Sequence, residues 1–323
     1  MTTSISTIKT KSRDVCPVCG HEGLILYKDI EDYFLSTPGL WTINKYSNNS
    51  CSMLWLNPMP LEEEIWKIYQ TYHTHGNANK KTTSAHLLPL ITRLTKLLAL
   101  PISILNGLHL QRKKLRTMFF GKTEGGLLDV GCGGGRFLRR MKKNGRQVEG
   151  SDFDDQAANG VKDKYGICIH TGDLKEIELS DNSFDATTLS HIIEHLCNPL
   201  ESIKRCHQLL KKRGGLIVTT SNGNSLSHQR YGKYWRRLES PRHIQIFTPN
   251  SLSNVVGQAG FSNRVVKTLS TGAAGIYKVG ALASQKKSLF MKTLRSIGSI
   301  FLELFEQHRN DIGQEILIIA TKE

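Results

Sequence analysis

The sequence predicts an α/β fold built on a mostly parallel sheet with helices on both faces, preceded by a small cysteine-containing N-terminal module. Three observations carry that expectation. Between residues 123 and 270, short apolar runs alternate with segments of helical period, which implies crossover units. A glycine-rich turn, Gly131-Cys132-Gly133-Gly134-Gly135, stands where the first apolar run meets the first helical pattern. Cys16 and Cys19, with two residues between them, lie near the N-terminus, well ahead of this region.

Taken in order, residues 126–131 form a short apolar strand, and Phe137, Leu138 and Met141 then share one face of a helix that ends near Asn144-Gly145. A second strand over 147–151 leads to Asp152. Strands over 167–170 and 184–190 follow, then a helix over 199–210 that Gly214-Gly215 terminates and a fifth strand over 216–220. Pro249 opens a further helix, at a position where a missing N–H costs nothing. That helix ends at Gly260, and residues 264–268 make a sixth strand. Leu289, Phe290, Leu294, Ile297, Ile300, Phe301, Leu304 and Phe305 recur at helical spacing, and residues 316–321 close the chain as a seventh strand. The expected division is an N-terminal module over 1–75, a basic helical connector over 76–122, and the alternating domain over 123–323 with a long loop at 222–243.

The charge balance is +15, from 43 Lys and Arg against 28 Asp and Glu among 323 residues, an excess that suits an anionic partner without choosing one. The first ten residues carry no apolar stretch, so neither a secretory signal nor an anchor is expected there, and the protein is expected in the cytoplasm. Seven cysteines, an odd number, point to thiols or metal ligands in a reducing compartment. Cys132, Cys168, Cys197 and Cys206 read as small buried hydrophobes. The segment 87–110 is the most membrane-like, but Arg93, Lys96, Pro89 and Pro101 interrupt it, so a core or interfacial helix is expected. Its apolar face and the cluster Arg112 to Arg116 are compatible with peripheral contact at an anionic inner membrane surface, although such faces more often pack on their own protein.

Glycines at a strand-to-helix turn let backbone N–H groups approach a nucleotide-like ligand. The third glycine of a dinucleotide loop is absent, because Arg136 stands in its place, which weakens an NAD assignment. Asp152, about twenty residues beyond the loop, is placed to accept hydrogen bonds from two ribose hydroxyls, and Asp173 follows the third strand in a turn.

The set Asp129-Val130-Gly131-Cys132-Gly133-Gly134-Gly135, Asp152, Gly172-Asp173 and Ser190-His191-Ile192-Ile193-Glu194-His195 resembles the class I methyltransferases that use S-adenosylmethionine (AdoMet). The stretch Arg242 to Leu252 and the triplet Ala259-Gly260-Phe261 are similar to one branch of that superfamily, often met in sugar, polysaccharide and secondary-metabolite pathways. The resemblance implies a Rossmann-like seven-stranded sheet whose last strand runs antiparallel to the others. It also implies that Asp129 and Gly131, Gly133 and Gly135 belong to the cofactor loop, that Asp152 holds the ribose, that Asp173 and Leu174 flank adenine, and that Ser190 lies beside the sulfonium.

Methyl transfer from a sulfonium needs alignment and desolvation more than machinery, but a hydroxyl or acidic carbon acceptor must lose a proton. His195 is the first candidate for that base, with Glu194 as its neighbour; His191 and His243 are reserves, and the competing role for His195 is helix packing. Tyr231, Tyr234, Trp235, Arg236, Arg237 and Arg242 in the long loop suit an anionic sugar-like acceptor. Cys16-Pro17-Val18-Cys19-Gly20 has zinc-knuckle spacing, and Cys51 follows at a hairpin-length interval. Together with Leu56-Asn57-Pro58-Met59-Pro60, it resembles the zinc-binding module on some sugar methyltransferases, except that Asn48 stands where a fourth cysteine belongs. His21, His73 and His75 are the candidates for the missing ligand. RNA methylation ranks second as an activity, since nothing resembles an RNA-binding module. A non-catalytic AdoMet-binding protein is the alternative from another class, which Glu194-His195 argues against.

Overall fold

The computed structural model describes residues 8–32, 37–48, 50–69, 125–270, 276 and 311–323. The expected helices at 87–110 and 289–305, the Arg112 to Arg116 cluster, His73 and His75 lie outside the described residues. The N-terminal part contains β1 (Thr10–Lys11), β2 (Leu24–Ile30), β3 (Trp41–Lys45), β4 (Leu54–Leu56), β5 (Met59–Pro60) and α1 (Ile65–Tyr69). The larger part contains β6 (Gly126–Val130), α2 (Arg136–Lys143), β7 (Gln147–Asp152), α3 (Asp155–Tyr165), β8 (Cys168–Thr171), β9 (Phe184–Ser190), α4 (Pro199–Leu209), β10 (Leu210–Ser221), α5 (Leu226–Tyr231), β11 (Gln245–Ile246), α6 (Pro249–Gln258), β12 (Ser262–Leu269) and β13 (Glu315–Thr321).

Seven strands form one sheet in the order β12-β13-β10-β9-β6-β7-β8. Neighbours pair in parallel except around β13, which is antiparallel to both β10 and β12. The α/β, Rossmann-like architecture is therefore present, with the reversed last strand. The chain leaves β6 toward β7 on one side and returns to β9 on the other, so the switch point of the sheet lies between the ends of β6 and β9. In open α/β sheets that crevice is where ligands sit.

Both faces of the sheet are covered. On one, Leu128, Val130, Leu189, Leu216, Val218, Ile316 and Ile318 are packed by Ile203 and Leu209 of α4 and Leu252, Val255 and Val256 of α6. On the other, Leu127 and Ala186 meet Met141 of α2, while Leu138 packs with Val161 and Ile167. Each fully buried aliphatic side chain contributes about 1.5–3 kcal/mol of transfer free energy, which holds the layers together.

Two local expectations change. Gly214-Gly215 does not separate helix from strand: α4 ends at Leu209, and Leu210 already pairs with Phe184 before the register shifts to Gly215 opposite Ala186. The glycines make a bulge inside β10, where a Cβ on Gly214 would lie 2.8 Å from the Lys211 carbonyl oxygen. Of the four cysteines expected inside, only Cys206 is buried; Cys132 and Cys197 are half-buried, and Cys168 is exposed on the edge strand β8. All seven cysteines are free thiols.

The N-terminal part is joined to the large sheet's layers. Its four-stranded sheet has the order β11-β4-β3-β2, so its outermost strand comes from residues 245–246. Met53 and Trp55 share a core cluster with Phe247 and Leu252. Among the described residues, no helix is long and apolar enough to cross a membrane.

Candidate active site

The bend after β6 is shaped by three glycines in left-handed conformation, Gly131, Gly133 and Gly135, with φ of 68°, 51° and 64°. Two of them are also required by packing. A Cβ on Gly131 would lie 2.2 Å from Ile192 Cδ1, and one on Gly135 would lie 2.7 Å from Val161 Cγ1, whereas Gly133 faces open space. The amides of Gly131 and Cys132 donate to the Ser151 carbonyl at 2.8 and 3.0 Å, tying the bend to β7.

Asp152, at the tip of β7, turns its carboxylate onto this bend: Oδ2 accepts from Gly133 N at 2.7 Å and Oδ1 from Asp154 N at 3.1 Å. Asp154, and not Asp152, caps α3, accepting from Gln156 and Ala157 amides. Each Asp152 oxygen keeps acceptor capacity beyond these bonds. The open face at Gly133 and the adjoining acid fit the sulfonium nucleoside implied by the motifs.

Asp129 lies beneath the bend. It accepts from Thr188 Oγ1 at 2.6 Å, and burial pushes its carboxyl up to about 7 against that hydrogen bond, with Asp152 adding to the rise. Its position is one of support under the loop. Asp173 accepts from Lys175 N at 3.0 Å and pairs with Lys175 Nζ at 3.2 Å. Its turn is tied back to the acid of β7 by Gly172 N donating to the Asp152 carbonyl at 3.0 Å. Leu174 is buried in the core behind it.

Across the switch point, Ser190 is exposed at the tip of β9 and its Oγ accepts from Thr219 Oγ1 at 3.2 Å. The next residue, His191, has φ of 56°, an uncommon conformation for a side-chain-bearing residue. Its ring bridges two acids, with Nδ1 3.2 Å from Glu194 Oε1 and Nε2 3.2 Å from Glu315 Oε1. Burial works against a charge on His191, but Glu315 and Glu194 outweigh it and raise the ring to about 9. Glu194 has no solvent exposure. Its burial alone would raise it, yet His191, then His243 and His195, hold the carboxyl well below the usual range, and Thr220 Oγ1 donates to Oε2 at 2.7 Å.

His195 Nδ1 lies 3.0 Å from the Arg242 carbonyl and 2.8 Å from Tyr69 Oη. A carbonyl only accepts, so Nδ1 carries the hydrogen and the lone pair sits on Nε2. His243 is arranged the same way, donating from Nδ1 to the Arg237 carbonyl at 2.7 Å, with its ring 4.7 Å from that of His195. Burial, with His195 adding, pushes His243 down to about 4. The structure thus gathers Glu194, His195 and both reserve histidines at one corner.

Three participants in this corner escaped the sequence. Tyr69 is 126 positions from its partner; Thr220 and Glu315 belong to strands with no distinguishing motif. The loop 222–243 differs from expectation as well. Trp235, Leu238, Arg242 and His243 are buried, and Arg242 is spent on Asp32, with contacts of 2.7 and 3.0 Å, and on Thr37 at 2.9 Å. Arg236 pairs with Glu239 at 2.6 Å and Arg237 with Glu315 at 2.7 Å. Arg242 is therefore a structural cation and not a grip for an acceptor.

In the N-terminal part, the sulfurs of Cys16, Cys19 and Cys51 lie within 4.8 Å of one another. Cys16 and Cys51 Sγ lie 3.7 Å apart, and their contact pulls the Cys16 thiol down and pushes the Cys51 thiol up. His21 stacks on Tyr46 at 5.0 Å and is not one of the cluster. Asn48 Oδ1 accepts from Ser50 N at 2.9 Å within its own turn.

Residues 107–266 match the family described as methyltransferase domain. The chain is 35% identical over 112 residues to a ubiquinone biosynthesis O-methyltransferase of Neisseria meningitidis, covering 32% of this chain and 46% of that one. It is 29% identical over 129 residues to the protein of the same name from Coxiella burnetii, covering 38% and 54%. The chain thus spans about half the length of the curated relatives it matches. Among solved structures, a SAM-dependent methyltransferase from Archaeoglobus fulgidus aligns at 21% identity with a TM-score of 0.47, covering 66% of this chain and 93% of that chain. On the family match, the strand order and the glycine bend with its facing acid, residues 107–266 are a class I, AdoMet-dependent methyltransferase domain.

Proposed function

We propose that this protein transfers the methyl group of AdoMet to a small or glycan-like acceptor, such as a sugar, a nucleotide sugar or a lipid-linked saccharide. The single observation that carries the reading is the Asp152 carboxylate turned onto the Gly133 amide at 2.7 Å, facing the tip of β9 across the switch point. Support for a small acceptor comes from the O-methyltransferases to which the chain is similar. The sugar class rests on the motif resemblance, and an anionic acceptor suits a net charge of +15. AdoMet, when bound, supplies an electrophilic methyl for in-line displacement.

The chain's own residues take distinct parts in this reading. The backbone at Gly131, Gly133 and Gly135 passes along the methionine portion, with Asp129 bracing the bend from below. Asp152 accepts from the ribose hydroxyls, Asp173 and Leu174 flank adenine, and Ser190 lies beside the sulfonium. Glu194 and His195 are the catalytic pair: the lone pair on His195 Nε2 lowers the cost of removing the acceptor's proton, and Glu194 is the buried carboxylate beside it. Cys16, Cys19 and Cys51 supply three of the four donors that a structural zinc needs. Metal analysis of gently purified protein tests this part, and less than half an equivalent of zinc removes it. A cytoplasmic protein touching the inner membrane surface would meet a lipid-linked acceptor, and cosedimentation with anionic liposomes at low salt tests that contact.

The deciding experiment uses AdoMet labelled in its methyl group, incubated with the protein and cell extract, followed by identification of the labelled product. His195→Ala is expected to bind AdoMet as the native chain does, by isothermal titration, and to lose methyl transfer. Undiminished transfer removes His195 from the mechanism, and a labelled RNA in place of a small product overturns the acceptor class.

A further inference from the structure

The corner that receives the acceptor in the reading above holds more donor atoms than a proton transfer uses. One ligand-capable atom from each of Glu194, His195 and His243 lies within 4.8 Å of the other two. These residues come from different elements: two from the turn after β9 and one from the segment leading into β11.

Each of the three is braced from behind. His195 Nδ1 is committed to the Arg242 carbonyl at 3.0 Å and His243 Nδ1 to the Arg237 carbonyl at 2.7 Å, which leaves the lone pair of both rings on Nε2. Thr220 Oγ1 donates to Glu194 Oε2 at 2.7 Å, and His191 Nδ1 lies 3.2 Å from Oε1. Glu194 is fully buried and His243 nearly so. Partners of this kind, spending one ring nitrogen on a carbonyl and orienting the carboxylate, are what holds metal ligands in place. Glu239 Oε2, 3.8 Å from His243 Nε2, adds an oxygen within reach. Two imidazoles and a carboxylate are three donors, one fewer than a tetrahedral ion takes, so the fourth position would fall to an exogenous ligand. Imidazole donors suit Zn²⁺, Co²⁺ or Fe²⁺ better than Mg²⁺ or Ca²⁺.

We propose that Glu194, His195 and His243 bind a divalent transition-metal ion whose open position takes the acceptor's hydroxyl. This deepens the methyltransferase reading and rests on its placement of the acceptor at this corner. The ion lowers the cost of deprotonating the hydroxyl it holds, and the proton passes to water in the cleft. The freed oxygen pair then forms the O–CH₃ bond as the S–CH₃ bond breaks, the sulfur keeps that bond's electrons, and the ion keeps its oxidation state. The His195 lone pair then acts through the ion.

The test titrates the chelator-stripped full chain with Co²⁺ and with Zn²⁺. Beyond the thiolate site, with its near-ultraviolet sulfur-to-cobalt band, one further Co²⁺ is expected to bind with visible bands and no sulfur signature. Cys51→Ser should leave that second ion in place, while His243→Asn and Glu194→Gln remove it. Should either buried variant fail to fold, Thr220→Val keeps the shape and is expected to weaken the second ion by about 10- to 100-fold. Methyl transfer to the labelled product should fall on chelation and return with Zn²⁺, in the native chain and in Cys51→Ser alike. Cobalt bound at the thiolates alone, or a second ion indifferent to these variants, overturns the proposal. If transfer then resists chelation but is lost in His195→Ala, the methyltransferase reading stands with His195 acting directly; if it survives both, the acceptor corner itself is misassigned.

Discussion

At the scale of single residues, Asp152 shows how one carboxylate both builds and serves a site. Its two oxygens fix Gly133 and the start of α3, and in the proposed function its remaining acceptor capacity serves a ribose. Removing two charge-assisted hydrogen bonds of about 1.5 kcal/mol each would cost about 3 kcal/mol of cofactor binding. Asp152→Ala is accordingly expected to weaken AdoMet by about 100-fold in a titration, with Asp152→Asn in between. His228 makes a second prediction, about stability. Its Nδ1 donates to the Gly223 carbonyl at 2.6 Å and Nε2 meets Tyr27 Oη at 3.0 Å, and burial lowers the ring from 6.5 to about 4. The unfolded chain therefore binds this proton more readily, so stability is unaffected above about pH 6.5 and falls as the pH drops from there toward 4. His228→Gln should flatten that part of a melting-temperature profile relative to the native chain. The placement of the glycines and Asp152 around one bend was legible beforehand because it follows from local backbone freedom and from spacing along consecutive strands. The burial of Glu194 was not, because it depends on Thr220 and on histidines that the chain brings in from later segments.

At the scale of elements, the strands and helices of the sheet were legible wherever an apolar run ended at a local stop. Gly126–Val130, Phe184–Ser190 and Pro249–Gln258 fall where periodicity and caps put them. The helix α6 begins with a capping box in which Thr248 and Ser251 satisfy each other's backbone. Thr248 also donates to the Cys51 carbonyl, so one hydroxyl joins a helix start to the cysteine turn. Thr248→Ala should cost about 1 kcal/mol for the cap, and more for the lost second partner, as a lower urea midpoint. Gly214-Gly215 misled because a glycine pair marks a stop and a bulge equally well, and only the pairing of Leu210 with Phe184 tells them apart. The two-residue strand β11 carries no periodic signal of its own.

At the scale of the whole molecule, the N-terminal part and the methyltransferase domain are held by a buried ion pair between residues 210 positions apart. The Asp32 and Arg242 side chains are essentially without exposure. Breaking the pair leaves an uncompensated charge, so Asp32→Ala should cost about 3–5 kcal/mol, whereas Asp32→Leu with Arg242→Met should return much of it. Chemical denaturation of the single and double variants checks this. Because the Arg242 carbonyl orients His195, the single variant should also lower methyl transfer more than its residual folded fraction explains. Nothing local in sequence announces such a pair; it exists only once the loop 222–243 has closed over Thr37. The shared strand ladder of Trp55 with Gln245 has a practical corollary. A shortened protein beginning near residue 123 would carry Gln245 and Ile246 with no backbone neighbour and would bare the apolar wall that Trp55 normally shields. Such a fragment should be expressed less soluble than the parent, and dissecting this protein by trimming its front would damage the half one meant to keep.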